Sequence, residues 1–469
     1  MLLDIMQKDD SIWISYYNLE GKTRFKEYQL EPEDKFNWEV CEEGDRRKDP
    51  KIKNWDGRPV KKVKTRYLNK YRLIEFVSGL SFSDRALIFG YHFPKTYFVD
   101  IEVEVTDDFP DPTKALTPVT SICIVTPSRQ CIVLATKDLA KSDIAAVEKR
   151  INLHFKELGV EYTLEFKKLN SEYDLLYTFL YKFVRNFPMM SGWNYINFDW
   201  CYIVNRAKRL GIDPAISSPT DTLFGKKDLP SHVGCMDYME VYTKWDRSVD
   251  IKEDLKLDTV GEAVLGIKKV KYDGTLQDLY EKEYPKFIFY NAVDTALVQL
   301  IHEKIKTMEI ALTIAHMSEI SIFKAASPVA VTESLICKSL LAKGLVMAKD
   351  SKASTEKIGK YEGAFVKDPI PGMHYAVACF DFASLYPSIM RQMNVSPESL
   401  IKKVDPSKMA QEKAPDRIVA VNGAVYTTET SILKEILSDL YAKRREYKKK
   451  SFELQQKAYE MEKSLGKQS

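Results

Sequence analysis

Asp100 and Glu102 lie two residues apart in Tyr97-Phe98-Val99-Asp100-Ile101-Glu102-Val103-Glu104-Val105, where apolar and acidic positions alternate. Alternation of period two predicts a strand, so both carboxylates leave one face and Val99, Ile101, Val103 and Val105 the other. Two carboxylates aimed at one point in a cleft repel each other unless a cation neutralises them, and a hard divalent ion such as Mg²⁺ suits them. Alone, such a pair most often marks a solvent-facing strand edge. Two further groups shift the balance. Asp199 stands at the predicted start of a helix running through Arg209, after a strand that ends in the polar turn Gly192 to Asp199. Tyr290 and Asp294 are four apart on a predicted helix, Tyr284 to Lys304, and so stack on one face. If the chain brings Asp100, Glu102, Asp199 and Asp294 together, they can hold two metal ions roughly 3.5–4 Å apart for in-line attack on a phosphodiester. One ion would activate a water and the other steady the leaving 3′ oxygen, with Tyr290 positioning or deprotonating that water.

These groups need elements to carry them. At 469 residues the chain exceeds one hydrophobic core, so several domains are expected. The β-rich runs Val119 to Thr126 and Cys131 to Thr136, followed by helical spacing from Glu172 to Phe187, predict an α/β domain around the acidic strand. Further on, Tyr375 to Asp381 reads as a second strand ending on a carboxylate, and Ser431 to Lys463 as one long helix. Arg444 and Lys448 share a face of that helix, able to grip a triphosphate or simply to form a solvated basic surface. The window Arg46 to Arg72 holds twelve Lys/Arg against two Asp/Glu, with Trp55, Tyr67 and Tyr71. Such a mixture fits a single-stranded nucleic-acid groove and, with equal weight, a loop-rich exposed face.

The formal charge is only +3, so a polyanionic partner must be held by local patches. No run of 18 apolar residues is present, and the first ten residues lack the basic and apolar character of a signal peptide. Seven cysteines without a CxxC pair suggest neither a zinc cluster nor a disulfide framework. A cytoplasmic protein, in the host cytoplasm if viral, is expected.

The order DIE (Asp100 to Glu102), GWNxxxFD (Gly192 to Asp199) and YNAVD (Tyr290 to Asp294) resembles the three exonuclease motifs of the DEDDy proofreading domains of family B DNA polymerases. Thr106 to Pro112 and Tyr272-Asp273-Gly274 resemble the T-even-like phage type. The resemblance implies an RNase H-like 3′→5′ exonuclease in which Asp100, Glu102, Asp199 and Asp294 ligate two Mg²⁺ or Mn²⁺ ions. Tyr290 would be the water-orienting phenol, with Asn194 and Phe198 near the excised nucleotide. The segment after Asp100 is one residue longer than the family pattern, which leaves Glu104 as either a third same-face carboxylate or an exposed one.

Asp381-Phe382-Ala383-Ser384-Leu385-Tyr386-Pro387-Ser388-Ile389 is similar to motif A of the same family. That likeness implies Asp381 as a ligand of the polymerase metals and Ser384, Leu385 and Tyr386 at the incoming nucleotide, with Tyr386 excluding a 2′-hydroxyl. Tyr361-Glu362-Gly363-Ala364 resembles the linker that touches the template, through Tyr361 and Gly363, and Arg444 and Lys448 would fall on the first fingers helix. The family's KxxxNSxYG and YxDTD patterns do not occur. The expectation is therefore a polymerase chain that cannot polymerise alone: a naturally split protein, favoured over a truncation, whose second chain supplies the remaining palm, fingers and thumb. Primer-template and single-stranded DNA are the expected partners, with dNTP bound only alongside that chain and a sliding clamp reached through it. The implied layout is an α/β multidomain protein: an N-terminal domain (1–96), exonuclease (97–309), a segment returning to the N-terminal domain (310–354), first palm part (355–430) and fingers start (431–469). The rivals are a stand-alone exonuclease with an inert palm remnant and a nucleic-acid-binding regulator using the basic window.

Overall fold

The computed structural model describes residues 1–104, 110–246, 254–267, 270, 274–350 and 365–465. They form two compact units, Met1–Glu31 with Leu80–Thr332, and Pro32–Gly79 with Glu333–Ser469.

The first unit is built on a six-stranded sheet in the order Thr163–Lys168, Gln130–Ala135, Val119–Val125, Thr96–Val103, Met189–Gly192, Gly234–Asp237. Thr96–Val103, the carboxylate strand, runs antiparallel to Val119–Val125 and parallel to Met189–Gly192. Its antiparallel neighbour Val119–Val125 is rich in β-branched residues, as a strand covered on both faces favours, while Met189–Gly192 contributes methionines. On one face Val99, Ile101 and Val103 join Ile122, Leu134, Trp200 and Ile203 in a buried cluster. On the other, Phe98, Cys123 and Val133 pack with Phe287, Ile288, Ala292 and Ala296 of the helix Tyr284–Ile305. Helices thus cover both faces, and Met1 to Glu31 adds a three-stranded antiparallel sheet.

The helix Asp199–Arg209 has the bounds its sequence predicts. The stretch Glu172 to Phe187 does not form the single α-helix expected: Glu172–Tyr177 is α-helical, Thr178–Phe183 opens into a π-helical turn and Val184–Asn186 tightens to 3₁₀ geometry. The change of winding keeps Leu175, Leu176, Phe179, Leu180 and Val184 all buried.

In the second unit, Leu345–Val346 pairs in parallel with Lys48–Asn54, within a four-stranded sheet that includes Pro59–Lys64 and Phe36–Val40. A three-stranded sheet (Leu400–Lys403, Ala424–Thr427, Arg417–Val419) and the helix Ile432–Leu465 complete it. The strand expected over Tyr375 to Asp381 is not formed, and that stretch is irregular and exposed. No strand among the described residues pairs with it, and a solitary strand leaves its backbone groups to water. Among the described residues no helix is long and apolar enough to cross a membrane.

Gly192 ends its strand against the carboxylate strand so closely that a Cβ there would lie 2.4 Å from the Val99 carbonyl oxygen. A backbone atom cannot swing aside as a side chain can. Gly192→Ala is expected to destabilise the first unit by about 1–3 kcal/mol, read as a lower midpoint in urea unfolding; an unchanged midpoint would show that the two segments are free to separate.

Candidate active site

Met189–Gly192 pairs with the carboxylate strand only from Thr96 to Phe98, so the strand runs on past the end of its neighbour. The Ile101 N–H, between the two acidic residues of the strand, is donated to Asp199 Oδ1 at 3.1 Å. Asp199 reaches it because Gly192 to Phe198 forms a tight turn in which Asn194 takes a left-handed φ of 57° and its carbonyl accepts from the Phe198 N–H at 3.0 Å. Asparagine tolerates that conformation better than most residues. Asp199 then opens its helix, where the positive end of the helix dipole favours a carboxylate.

That favour is outweighed. Asp199 is 3% exposed, and burial holds its carboxyl well above the ordinary carboxylate range. The negative field of Asp100 adds to the rise, the Ile101 N–H opposes it, and Asp237 adds a further push upward.

Asp100 is tied to the helix Tyr284–Ile305 on the same face. Asn291 donates from Nδ2 to Asp100 Oδ2 at 3.0 Å, while its Oδ1 accepts from Ser121 Oγ at 3.2 Å. Ser121 is the cross-strand partner of Glu102, so this bridge spans the strand face that carries both acids. Asp294, one turn after Asn291, is 4% exposed, and Tyr290 beside it is half-buried. The helix therefore brings Asn291 of YNAVD to the acidic face, and the three-residue spacing puts Asp294 on the same side of the helix.

The structure thus joins Asp100, Asp199 and Asn291 through hydrogen bonds and shared fields, with Glu102 and Asp294 buried on the same strand and helix. Among the described residues no three acidic, histidine or cysteine side chains are gathered at metal-coordinating distances. One oxygen of Asp100 is taken up by Asn291 and one of Asp199 by the Ile101 N–H. The donor set still suits hard divalent cations, since carboxylate oxygens on rigid elements are their preferred ligands. Phe198 and Asn194 are half-buried in the turn beside Asp199. Glu104 has left the strand; the Glu172 carboxylate, hydrogen-bonded to the Arg206 guanidinium, chiefly holds that group up, and the Glu104 charge adds a little to the rise.

Asp381 lies in the second unit, exposed, as are Leu385 and Tyr386, while Ser384 precedes the helix Leu385–Gln392 with a left-handed φ of 52°. Arg444 and Lys448 are exposed on the long helix. Tyr361 and Gly363, together with Val105, Thr106 to Phe109 and Tyr272-Asp273, lie outside the described residues. Much of the basic window is engaged within its own unit: Arg47 and Lys61 pair with Asp45, Arg58 with Asp56 and Asp350, and Lys70 with Glu333.

Two residues escaped the sequence reasoning. Asn291 sits inside YNAVD, but an amide carries no charge to draw attention. Asp237 ends the last strand of the sheet and caps the helix Tyr238–Trp245, accepting from Met239 at 3.1 Å and from the Ile196 N–H at 3.0 Å. An aspartate between a strand and a helix is a legible N-cap signal.

Residues 83–244 match the family model of the DNA polymerase family B exonuclease domain, and residues 321–468 that of DNA polymerase family B. The DNA-directed DNA polymerase of Escherichia phage RB69 is 27% identical over 380 residues, covering 74% of this chain and 41% of that protein. The corresponding enzyme of Enterobacteria phage T4 is 26% identical over 304 residues, 60% of this chain and 33% of that one. DNA polymerase 1 of Sulfolobus acidocaldarius is 28% identical over 330 residues, 65% of this chain and 35% of its own. The chain spans less than half the length of these relatives.

Burial pushes the Asp237 carboxyl up to about 6 from 3.8. Between those values the folded protein holds a proton the unfolded chain has lost, so this group's contribution to stability falls as pH rises through that window. Asp237→Asn keeps one accepting oxygen and turns the other into an NH₂ group facing a backbone N–H, a cost at every pH. Its effect on stability is therefore expected to be more favourable at pH 8 than at pH 3.5 by about 2–3 kcal/mol. Denaturant unfolding at both pH values checks this; equal effects at the two would contradict it.

Proposed function

The chain belongs to DNA polymerase family B, and from that premise we propose that its first unit is a 3′→5′ proofreading exonuclease that removes the terminal nucleotide of a DNA primer during replication. The observation that carries this is the placement of Asp199 on the Ile101 N–H, between Asp100 and Glu102. The Asn291 bond to Asp100 adds the third motif to the two joined there.

Asp100, Glu102, Asp199 and Asp294 are the residues that would hold Mg²⁺ or Mn²⁺, and the bound ions would supply an activated water and charge to steady the leaving 3′ oxygen. The rest is the chain's own work. Tyr290, half-buried one turn from Asp294, offers a phenol to orient the water within hydrogen-bond reach. Asn291 fixes the rotamer of Asp100 by its hydrogen bond. Asn194 and Phe198, in the turn before Asp199, would meet the terminal nucleotide, the amide by hydrogen bonding and the ring by stacking. Within the first unit the exonuclease is proposed over residues 97–309, with 1–96 and 310–354 as the N-terminal domain, stretches that the two compact units share between them.

In the second unit Asp381, Ser384, Leu385 and Tyr386 are proposed as part of a polymerase site for dNTP, with Arg444 and Lys448 as triphosphate contacts. Nucleotide transfer also needs a second palm carboxylate and the rest of the fingers. Those groups would come from further polymerase sequence or a second chain, and clamp contacts would come with them.

The exonuclease is tested with a 5′-labelled single-stranded oligonucleotide and Mg²⁺. Stepwise shortening from the 3′ end is expected, abolished by chelation and slowed at least about a hundredfold in Asp199→Asn; equal digestion by that variant would refute the assignment.

A further inference from the structure

Away from the acidic face, Tyr173, Tyr177 and Tyr181 line one side of the Glu172 to Asn186 helical stretch at four-residue steps. All are exposed. Tyr173 and Tyr177 have near-parallel rings, 8° apart with centroids at 6.2 Å, and Tyr177 and Tyr181 follow at 26° and 5.5 Å. Four-residue steps drift around a helix of 3.6 residues per turn, and the wider π-helical turn at Thr178–Phe183 offsets that drift. The same irregularity that broke the predicted helix keeps the tyrosines in file.

The file continues into a cation. The Arg185 guanidinium lies over the Tyr181 ring at 5.5 Å, and it also lines a cleft of about 480 Å³. Lys22, Arg24 and Lys95 border that cleft, with Tyr97, whose ring stacks on Phe187 at 4.2 Å and 11°. Arg185 is held by the carbonyls of Ile216, Ser218 and Pro219 and by Asp221, so it is a fixed part of the wall. Lys22, Arg24 and Lys95 are exposed, and Arg24 pairs with the exposed Glu20, a bond worth little in water.

We infer that the tyrosine file and the basic cleft form one track for single-stranded nucleic acid, separate from the exonuclease centre, with bases on the rings and phosphates at Lys22, Arg24 and Lys95. Exposed aromatic faces in a row accept bases of any identity, and cations beside them take the backbone. An apolar protein partner would not call for the cations, and a duplex would not present its base faces. From Tyr173 to Arg185 the helix rises about 18 Å, the length of about five stacked nucleotides at about 3.4 Å each. The cleft extends the site by a few more.

The test is fluorescence anisotropy with labelled oligothymidylates of 4 and 16 nucleotides, and oligouridylates of the same lengths, in chelator. No hydrolysis is read, so failure here is distinct from failure of the exonuclease assignment. Wild-type protein is expected to bind the 16-mer far more tightly than the 4-mer. Both Tyr177→Ala/Tyr181→Ala and Lys22→Glu/Lys95→Glu are expected to weaken the 16-mer about tenfold or more, the second with a shallower salt dependence. Tyr177→Phe/Tyr181→Phe keeps the rings and should bind as wild type. Unchanged thermal midpoints exclude misfolding, since all four positions are exposed. Tighter DNA or tighter RNA binding names the source, and either supports the track. Unchanged 16-mer affinity in either weakened variant would overturn it and leave the tyrosines to a protein partner.

Discussion

A buried carboxylate that accepts a backbone N–H from between two other acids is the constraint on which this molecule turns. Asp199 can sit there only because the carboxylate strand outruns its parallel neighbour, leaving the Ile101 N–H unclaimed by the ladder. Hydrogen bonding holds the group in place while burial and the Asp100 charge oppose its ionisation. The fold supplies the opposing stabilisation through two apolar layers, one on each face of the sheet. Acidic groups confined against their own repulsion are a common mark of functional sites.

The surrounding elements serve that placement. Gly192 allows the turn to approach the Val99 carbonyl, Asn194 accepts the left-handed step, and the helix Tyr284–Ile305 carries Asn291 to Asp100 and Asp294 to the same face. Asp237 extends the acidic field from the far edge of the sheet. A polar network thus reaches across three strands and two helices, and partial satisfaction of such a network makes it sensitive to single substitutions.

The alternating strand and the helix beginning at Asp199 were legible because their periodicity is a local property of sequence. Asn291 was not, since its importance lies in what it touches across the fold, and Asp237 was legible as a helix cap but not as a source of charge near Asp199. Two expectations failed for physical reasons. Tyr375 to Asp381 has a strand's pattern, but a strand is made by a neighbour, and none among the described residues pairs with it. Glu172 to Phe187 has a helix's spacing, but packing Leu175 through Val184 into one core demanded a change of winding. Ion pairs engage part of the basic window, which its charge count alone left open between a nucleic-acid groove and an exposed face.

The most direct test is the dependence of unfolding stability on Mn²⁺ for the wild-type chain and for Asp199→Asn. If divalent cations relieve the acidic cluster, the chelated variant should be the more stable of the two proteins, and only the wild type should gain stability as Mn²⁺ is added. Parallel gains in both proteins, or none in the wild type, would contradict the account.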